Sequence, residues 1–229
     1  MKNDRLVVLF SGGVHSSLAV ALCAPRYKSI MCLTLRRFGI FGARQVTSRL
    51  EALKNRFPQV RFESLVLPVD DYYDTLLSMH RFNIMSLSVC GLCKLAMHWR
   101  TIEYCMCNGI KDICDGSESS MVQYPDQNEG IMLDNIRNLY FDFNLNYFTP
   151  VFNIGAKAEH YLFRLGVVPK KIIRGTKEDI QIVCTQQRLF KMFVDYYVLR
   201  NGWERYVRDS RDFFEKKISL IKEDLRNRK

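Results

Sequence analysis

The sequence is poor in the residues that break chains. Six prolines and twelve glycines in 229 residues are too few for a collagen-like or Pro/Gly-rich disordered chain. No run of about 18 apolar residues occurs, so no membrane-spanning helix is expected. Lys2 and Arg5 followed by apolar residues imitate a signal peptide, but Ser11–Ser17 interrupts the run and leaves each half too short for an h-region. Histidine is scarce, and none of the four stands at ligand spacing from another. Acidic residues are outnumbered, 24 against 34 Lys and Arg, for a net charge of +10. That balance suits a polyanion such as RNA, and is also found in proteins that bind none. There is no internal repeat. The expectation is a cytoplasmic chain whose eight cysteines (23, 32, 90, 93, 105, 107, 114 and 184) are thiols or metal ligands rather than disulfides.

Against these absences one stretch stands out. Leu6–Phe10 is an apolar run that reads as a buried parallel strand, Ser11-Gly12-Gly13-Val14-His15-Ser16-Ser17 is small and polar, and Leu18–Cys23 is helix material. Ser16 or Ser17 is placed to cap that helix. A strand, a tight glycine turn and a helix start aim backbone N–H groups and the positive end of the helix dipole at one point, which favours phosphate. The loop lacks the Gly-Lys-Ser/Thr ending of a Walker loop and the three spaced glycines of a dinucleotide site.

Further along, strand-like runs at 29–35, 62–67, 112–116 and 147–151 alternate with helical periodicity at 43–57, 70–79, 92–108, 133–139 and 157–165. Alternating β and α elements imply a Rossmann-like α/β fold, a parallel sheet with helices on both faces. From about Gln186 the composition shifts. Residues 188–229 hold 12 Lys and Arg against 7 Asp and Glu, and Phe214, Ile218, Ile221 and Leu225 recur at helical spacing. The division expected is an α/β domain over 1–185 and a basic helical C-terminal appendage over 186–229.

Cys90-x-x-Cys93 puts two thiols within reach of one metal, and by itself leaves zinc, an iron–sulfur cluster and a redox pair open. A second CxxC is missing. Cys105 and Cys107 are poor partners, because on a helix residues two apart diverge by about 200°; buried thiols are expected there, as at Cys23 and Cys32.

The loop resembles the Ser-Gly-Gly-x-Asp-Ser pyrophosphate loop of the PP-loop ATP pyrophosphatases, with adenine nucleotide alpha hydrolase-like folds. Ser11, Gly12, Gly13 and Ser16 match it, and His15 stands where the family has Asp. Cys-x-Leu-Cys-Lys at 90–94 and Cys184, 91 residues beyond Cys93, resemble the iron–sulfur branch, similar to the tRNA 2-thiocytidine synthetases. The resemblance implies that Cys90, Cys93 and Cys184 hold a [4Fe–4S] cluster with one open iron and act as the catalytic cysteines. It implies that Ser11 to Ser17, Val14 included, with Gly116 and Ser117, bind ATP or AMP with Mg²⁺. It further implies sulfur transfer to a tRNA base or small heterocycle through an adenylylated intermediate, from an unidentified sulfur donor. The family's Gly-x-x-x-Asp-Asp phrase is here Gly116-Ser117-Glu118-Ser119-Ser120, so two acidic positions are missing. Glu118, Asp112 or Asp115 would have to compensate.

Two alternatives stay open. One keeps the cluster, drops ATP, and removes sulfur from a thiolated base. The other is a non-catalytic nucleotide- or RNA-binding protein. Lys94, Arg36 and Arg37 read as surface residues or phosphate contacts. Arg174 and Lys177 read as pocket residues, and His80, His98 and His160 as structural. Tyr196, Tyr197, Trp203 and Tyr206 suit core or homodimer packing better than base stacking.

Overall fold

A computed structural model describes residues 3–41, 44–79, 83–119, 129–168, 183–184 and 186–228. The chain runs β1 (Asn3–Leu9), α1 (Val14–Cys23), β2 (Tyr27–Arg36), β3 (Ile40–Phe41), α2 (Arg44–Arg56), β4 (Arg61–Pro68), α3 (Asp70–Ser78), α4 (Val89–Asn108), β5 (Asp112–Cys114), α5 (Asp134–Asp142), β6 (Asn146–Phe148), α6 (Ala158–Arg164), β7 (Val183–Cys184), α7 (Gln187–Asn201) and α8 (Trp203–Asn227). Five strands form one parallel sheet in the order β4-β2-β1-β5-β6. The fold is thus the Rossmann-like α/β sheet expected, with helices at the C-terminal end. Among the described residues no helix is long and apolar enough to cross a membrane.

Period-two alternation along β1 sorts the core. Leu6 and Val8 face α1, α2 and α6, whereas Val7 faces the layer that includes α3, α4 and α5. The second layer also takes in α7 and α8. Phe190, Phe193, Tyr197, Tyr206, Phe213, Phe214, Ile218, Ile221 and Leu225 are buried with Leu92, Leu95 and Trp99 of α4. The basic helices therefore share a core with the α/β part, which their period of apolar residues requires. Lys217 is buried with them and donates to the Leu76 carbonyl in the last turn of α3. Burial pushes its pKa down to about 8.

Helix α4 begins at Val89, three residues before the expected start, so the whole CxxC lies in its first turns; Gly109, left-handed at φ +62°, ends it. Between the two cysteines, a Cβ on Gly91 would lie 2.3 Å from the Phe214 ring of α8. The Gly91→Ala variant should therefore destabilise the protein by about 1–3 kcal/mol through overpacking. In denaturant titrations the Gly91→Ala/Phe214→Leu pair should cost less than the sum of its single changes. Additive costs would show that the ring does not press on this turn.

Candidate functional site

The strand order reverses between β1 and β5, and this is where a crevice forms beyond the carboxyl ends of a parallel sheet. A cavity of about 440 Å³ opens there. Its walls are the ends of β1 and β2, Ser11 and residues 13–16 of the loop, one face of α4, residues 115–117 after β5, and Cys184, Gln186 and Gln187 at the start of α7.

The loop is built on Gly12 and Gly116. Gly12 has φ +73°, and a Cβ there would lie 2.8 Å from the Val46 backbone of α2. A Cβ on Gly116 would lie 2.6 Å from the Ser16 nitrogen, so the segment after β5 packs on the bare backbone of the loop. Gly13 caps α1 with ordinary φ −71°, and the nearest obstacle to a Cβ there is Ser11 Oγ at 3.3 Å. The helix starts earlier than expected, so neither Ser16 nor Ser17 caps it, and no side chain does. Instead Ser16 Oγ donates back to the Gly13 carbonyl at 3.2 Å and lies 3.1 Å from Ser11 Oγ. The Gly13 N–H donates to Ser11 Oγ at 3.3 Å. Ser11, Gly13, Val14, His15 and Ser16 line the cavity; Gly12 lies under α2 and Ser17 is buried in the core. His15 Nε2–H donates to the Gly155 carbonyl at 3.2 Å and lies 3.8 Å from Glu118, tying the loop to the segment before α6.

Of the three carboxylates considered as compensation, Asp115 reaches the cavity. Asp112, at the opposite end of β5, accepts from the Tyr27 hydroxyl and from Asn146. Buried Asp115 accepts from the Ser117 N–H at 2.9 Å and the Ser117 hydroxyl at 2.8 Å. Lys94 Nζ donates to Ser117 Oγ at 2.7 Å and is 3.9 Å from Asp115; its side chain is only 11% exposed, so it is not the surface lysine of one expectation. Burial raises the Asp115 pKa, but Lys94, His98 and the two bonds from Ser117 outweigh it and leave the carboxyl below its ordinary range. His98 Nε2 is 3.7 Å from Asp115, and its Nδ1 is 3.0 Å from the Tyr140 hydroxyl. Burial lowers its pKa to about 3, against which Asp115 acts only in part. His98 is thus a neutral core residue that also touches the cavity.

Cys90, Cys93 and Cys184 all line this cavity. The first two are three residues apart on α4 and share a face. Cys184 is placed by the segment after β2. Ile40 pairs with Cys184 and Phe41 with Val183, and Arg37 donates to Gln186 at 2.7 Å while its guanidinium lies 3.3 Å from the centre of the Tyr73 ring. Among the described residues no three His, Cys, Asp or Glu side chains come close enough together to hold one metal ion. A cubane cluster spreads its thiolates wider apart than the ligands of a single ion. Three thiols around one cavity are donors of the type an iron–sulfur cluster takes. Cys105, Cys23 and Cys32 are buried, as expected, whereas Cys107 is exposed. Tyr197 and Tyr206 are core residues; Tyr196 and Trp203 are exposed. His80, Ser120, Arg174 and Lys177 lie outside the described residues.

Sequence reasoning undervalued Lys94 and Arg37. For Lys94 a signal was present: it stands four residues after Cys90, and 90, 94 and 97 form one helical face. For Arg37 no local signal exists, because its partners Tyr73 and Gln186 are remote in the chain.

Two measurements check this geometry. Gly12→Ala should cost about 1–3 kcal/mol through its backbone conformation alone, and Gly13→Ala no more than about 1 kcal/mol; similar urea midpoints for the two would refute the assignment. His98 protonates in the unfolded chain near its ordinary value of 6.5 but in the folded chain only near 3. Its contribution to stability is complete above 6.5 and is lost as pH falls toward 3. Unfolding free energy should drop by about 1.4 kcal/mol from about pH 7.5 to about pH 5.5 on its account. His98→Gln should flatten that part of the profile; an unchanged slope would show that His98 is not the group responsible.

No protein-family model and no curated protein matches the sequence. Among solved structures, the fold is similar to a predicted subunit of tRNA methyltransferase from Methanocaldococcus jannaschii, at 21% identity over 69% of this chain and 74% of that one, with a TM-score of 0.46. It is similar to NMN synthetase from Francisella tularensis, at 12% identity over 93% and 86%, with a TM-score of 0.48. It is also similar to the U34-tRNA thiolase NcsA from Methanococcus maripaludis, solved with its [4Fe–4S] cluster, at 13% identity over 96% and 73%, with a TM-score of 0.49. In its loop sequence the chain resembles the PP-loop ATP pyrophosphatases.

Proposed function

We propose that the protein is a PP-loop-type enzyme that carries out cluster-dependent sulfur chemistry on a nucleobase, in tRNA or in a smaller heterocycle. One observation carries the reading. Residues from four distant parts of the chain, the loop at 11–16, Cys90 with Cys93, residues 115–117, and Cys184, line a single cavity. The loop would hold a phosphate with backbone amides and the end of the α1 dipole. The three thiols would hold a [4Fe–4S] cluster, which when bound supplies an open iron for sulfur. Leu9, Phe10, Leu33 and Leu35 give the cavity an apolar wall for a base. Lys94 lies next to Cys93 and bonds to Ser117, so it links the thiol side to the loop side. In the route the resemblance implies, an exocyclic oxygen on the base attacks the α-phosphate of ATP and releases pyrophosphate, and sulfide then displaces that oxygen from the ring carbon as part of AMP.

A second reading is favoured by Asp115, whose carboxylate is occupied by Ser117 and Lys94. Here the loop grips the substrate's own phosphate, and a thiolated base loses its sulfur as hydrosulfide while water supplies the oxygen.

Both readings require the cluster. Protein purified without oxygen should carry about four irons per chain and absorb broadly near about 400 nm. Cys90→Ser and Cys184→Ser should each lose most of the iron, and Cys107→Ser should keep it. Stoichiometric zinc in place of iron, or full iron in Cys184→Ser, would overturn the proposal.

A further inference from the structure

The described residues that line the cavity include two fixed cations, Lys94 and Arg37, and one carboxylate, Asp115. The cations stand apart. Lys94 is bonded to Ser117 beside the loop, and Arg37 lies on the far side against Tyr73 and Gln186. Asp115 has no free face for a metal: one oxygen accepts from the Ser117 N–H, and the other accepts from the Ser117 hydroxyl and faces Lys94 and His98. Glu118, the next carboxylate in the chain, lies toward His15 and does not line the cavity. Magnesium is brought to nucleoside phosphates by one or two carboxylates in a near-ideal octahedron of oxygens, and among the described residues this cavity offers none that is uncommitted. Thiols aside, Lys94 and Arg37 against Asp115, with roughly +0.5 from the helix end, leave a charge of about +1.5. A phosphate monoester carries about −1.5 to −2. A triphosphate would bring further negative charge that the described residues on these walls do not balance.

We propose that the cavity takes a nucleoside monophosphate without a divalent cation, its phosphate on the loop beside Lys94 and its base toward the thiols, and that Asp115 serves as a counter-ion to Lys94 and not as a metal ligand. This rests on the loop being a phosphate site, the reading given above. The same geometry makes Asp115→Asn a conservative change. The amide oxygen still accepts from the Ser117 N–H, and the amide nitrogen can donate to the Ser117 hydroxyl.

Calorimetric titration of the purified protein with AMP and with ATP, in magnesium and in EDTA, tests the assignment. AMP should bind equally in both, and magnesium should not tighten ATP. Asp115→Asn should raise AMP affinity several-fold by removing a negative charge near the phosphate. Lys94→Gln should lower it about tenfold or more, with adenosine binding unchanged. AMP binding that weakens tenfold in EDTA would overturn the proposal. So would magnesium-dependent ATP binding that disappears in a folded Asp115→Asn. If AMP binds Gly13→Val as tightly as the wild type, or binds neither, the phosphate-loop reading itself fails and this proposal fails with it.

Discussion

The site depends on a backbone contact that only glycine permits. Gly116 lies so close to the Ser16 nitrogen that any side chain would collide with the turn opening α1. That contact presses the exit of β5 against the loop after β1. Because β1 and β5 are neighbours at the point where the sheet reverses its order, the same contact sets one wall of the crevice. Gly12 plays the matching part on the other side, where α2 comes equally close. The loop is clamped from both sides at its backbone, and Ser11, Gly13, His15 and Ser16 line the cavity.

The second clamp is apolar. Helix α4 carries both cysteines, Lys94 and His98, and its position is set by what packs on its other faces. Phe214 of α8 fills the space over Gly91, and the aromatic residues of α7 and α8 bury Leu92, Leu95 and Trp99. The C-terminal helices are basic on the outside, but their apolar faces hold the CxxC turn against the sheet. Ion pairs at the periphery, Lys222 with Asp142 and Arg228 with Glu103, join the same layers. Being half-exposed, they add little to stability beside the buried rings.

Electrostatics then divide the cavity. A buried carboxylate beside a nearly buried ammonium is tolerable only when both are paired and hydrogen-bonded; Ser117 supplies the bonds and Lys94 the charge. The neighbouring imidazole stays neutral because burial outweighs the pull of Asp115. Asp115 is therefore committed to its own neighbours, Ser117 and Lys94.

The sheet, the glycine turn after β1, a helix at the CxxC and the apolar faces of the last helix were legible in the sequence, because hydrophobic period, glycine pairs and cysteine spacing are local properties of the chain. The start of α1 was not: Gly13 takes the cap position and Ser16 Oγ turns back to the Gly13 carbonyl. Nor was the burial of Lys94, since a lysine on a helix reads as solvated until Ser117 and Asp115 arrive from β5. The sequence by itself determined the local pieces: a strand, glycine turn and helix start, and the spacing of the cysteines. That those thiols line the same cavity as the loop, with Arg37 and Gln186 holding the approach of Cys184, was decided only by tertiary structure. Parallel strands are ordered by packing and crossover, not by their order in the chain, so residues 91 positions apart come together only once the sheet is assembled.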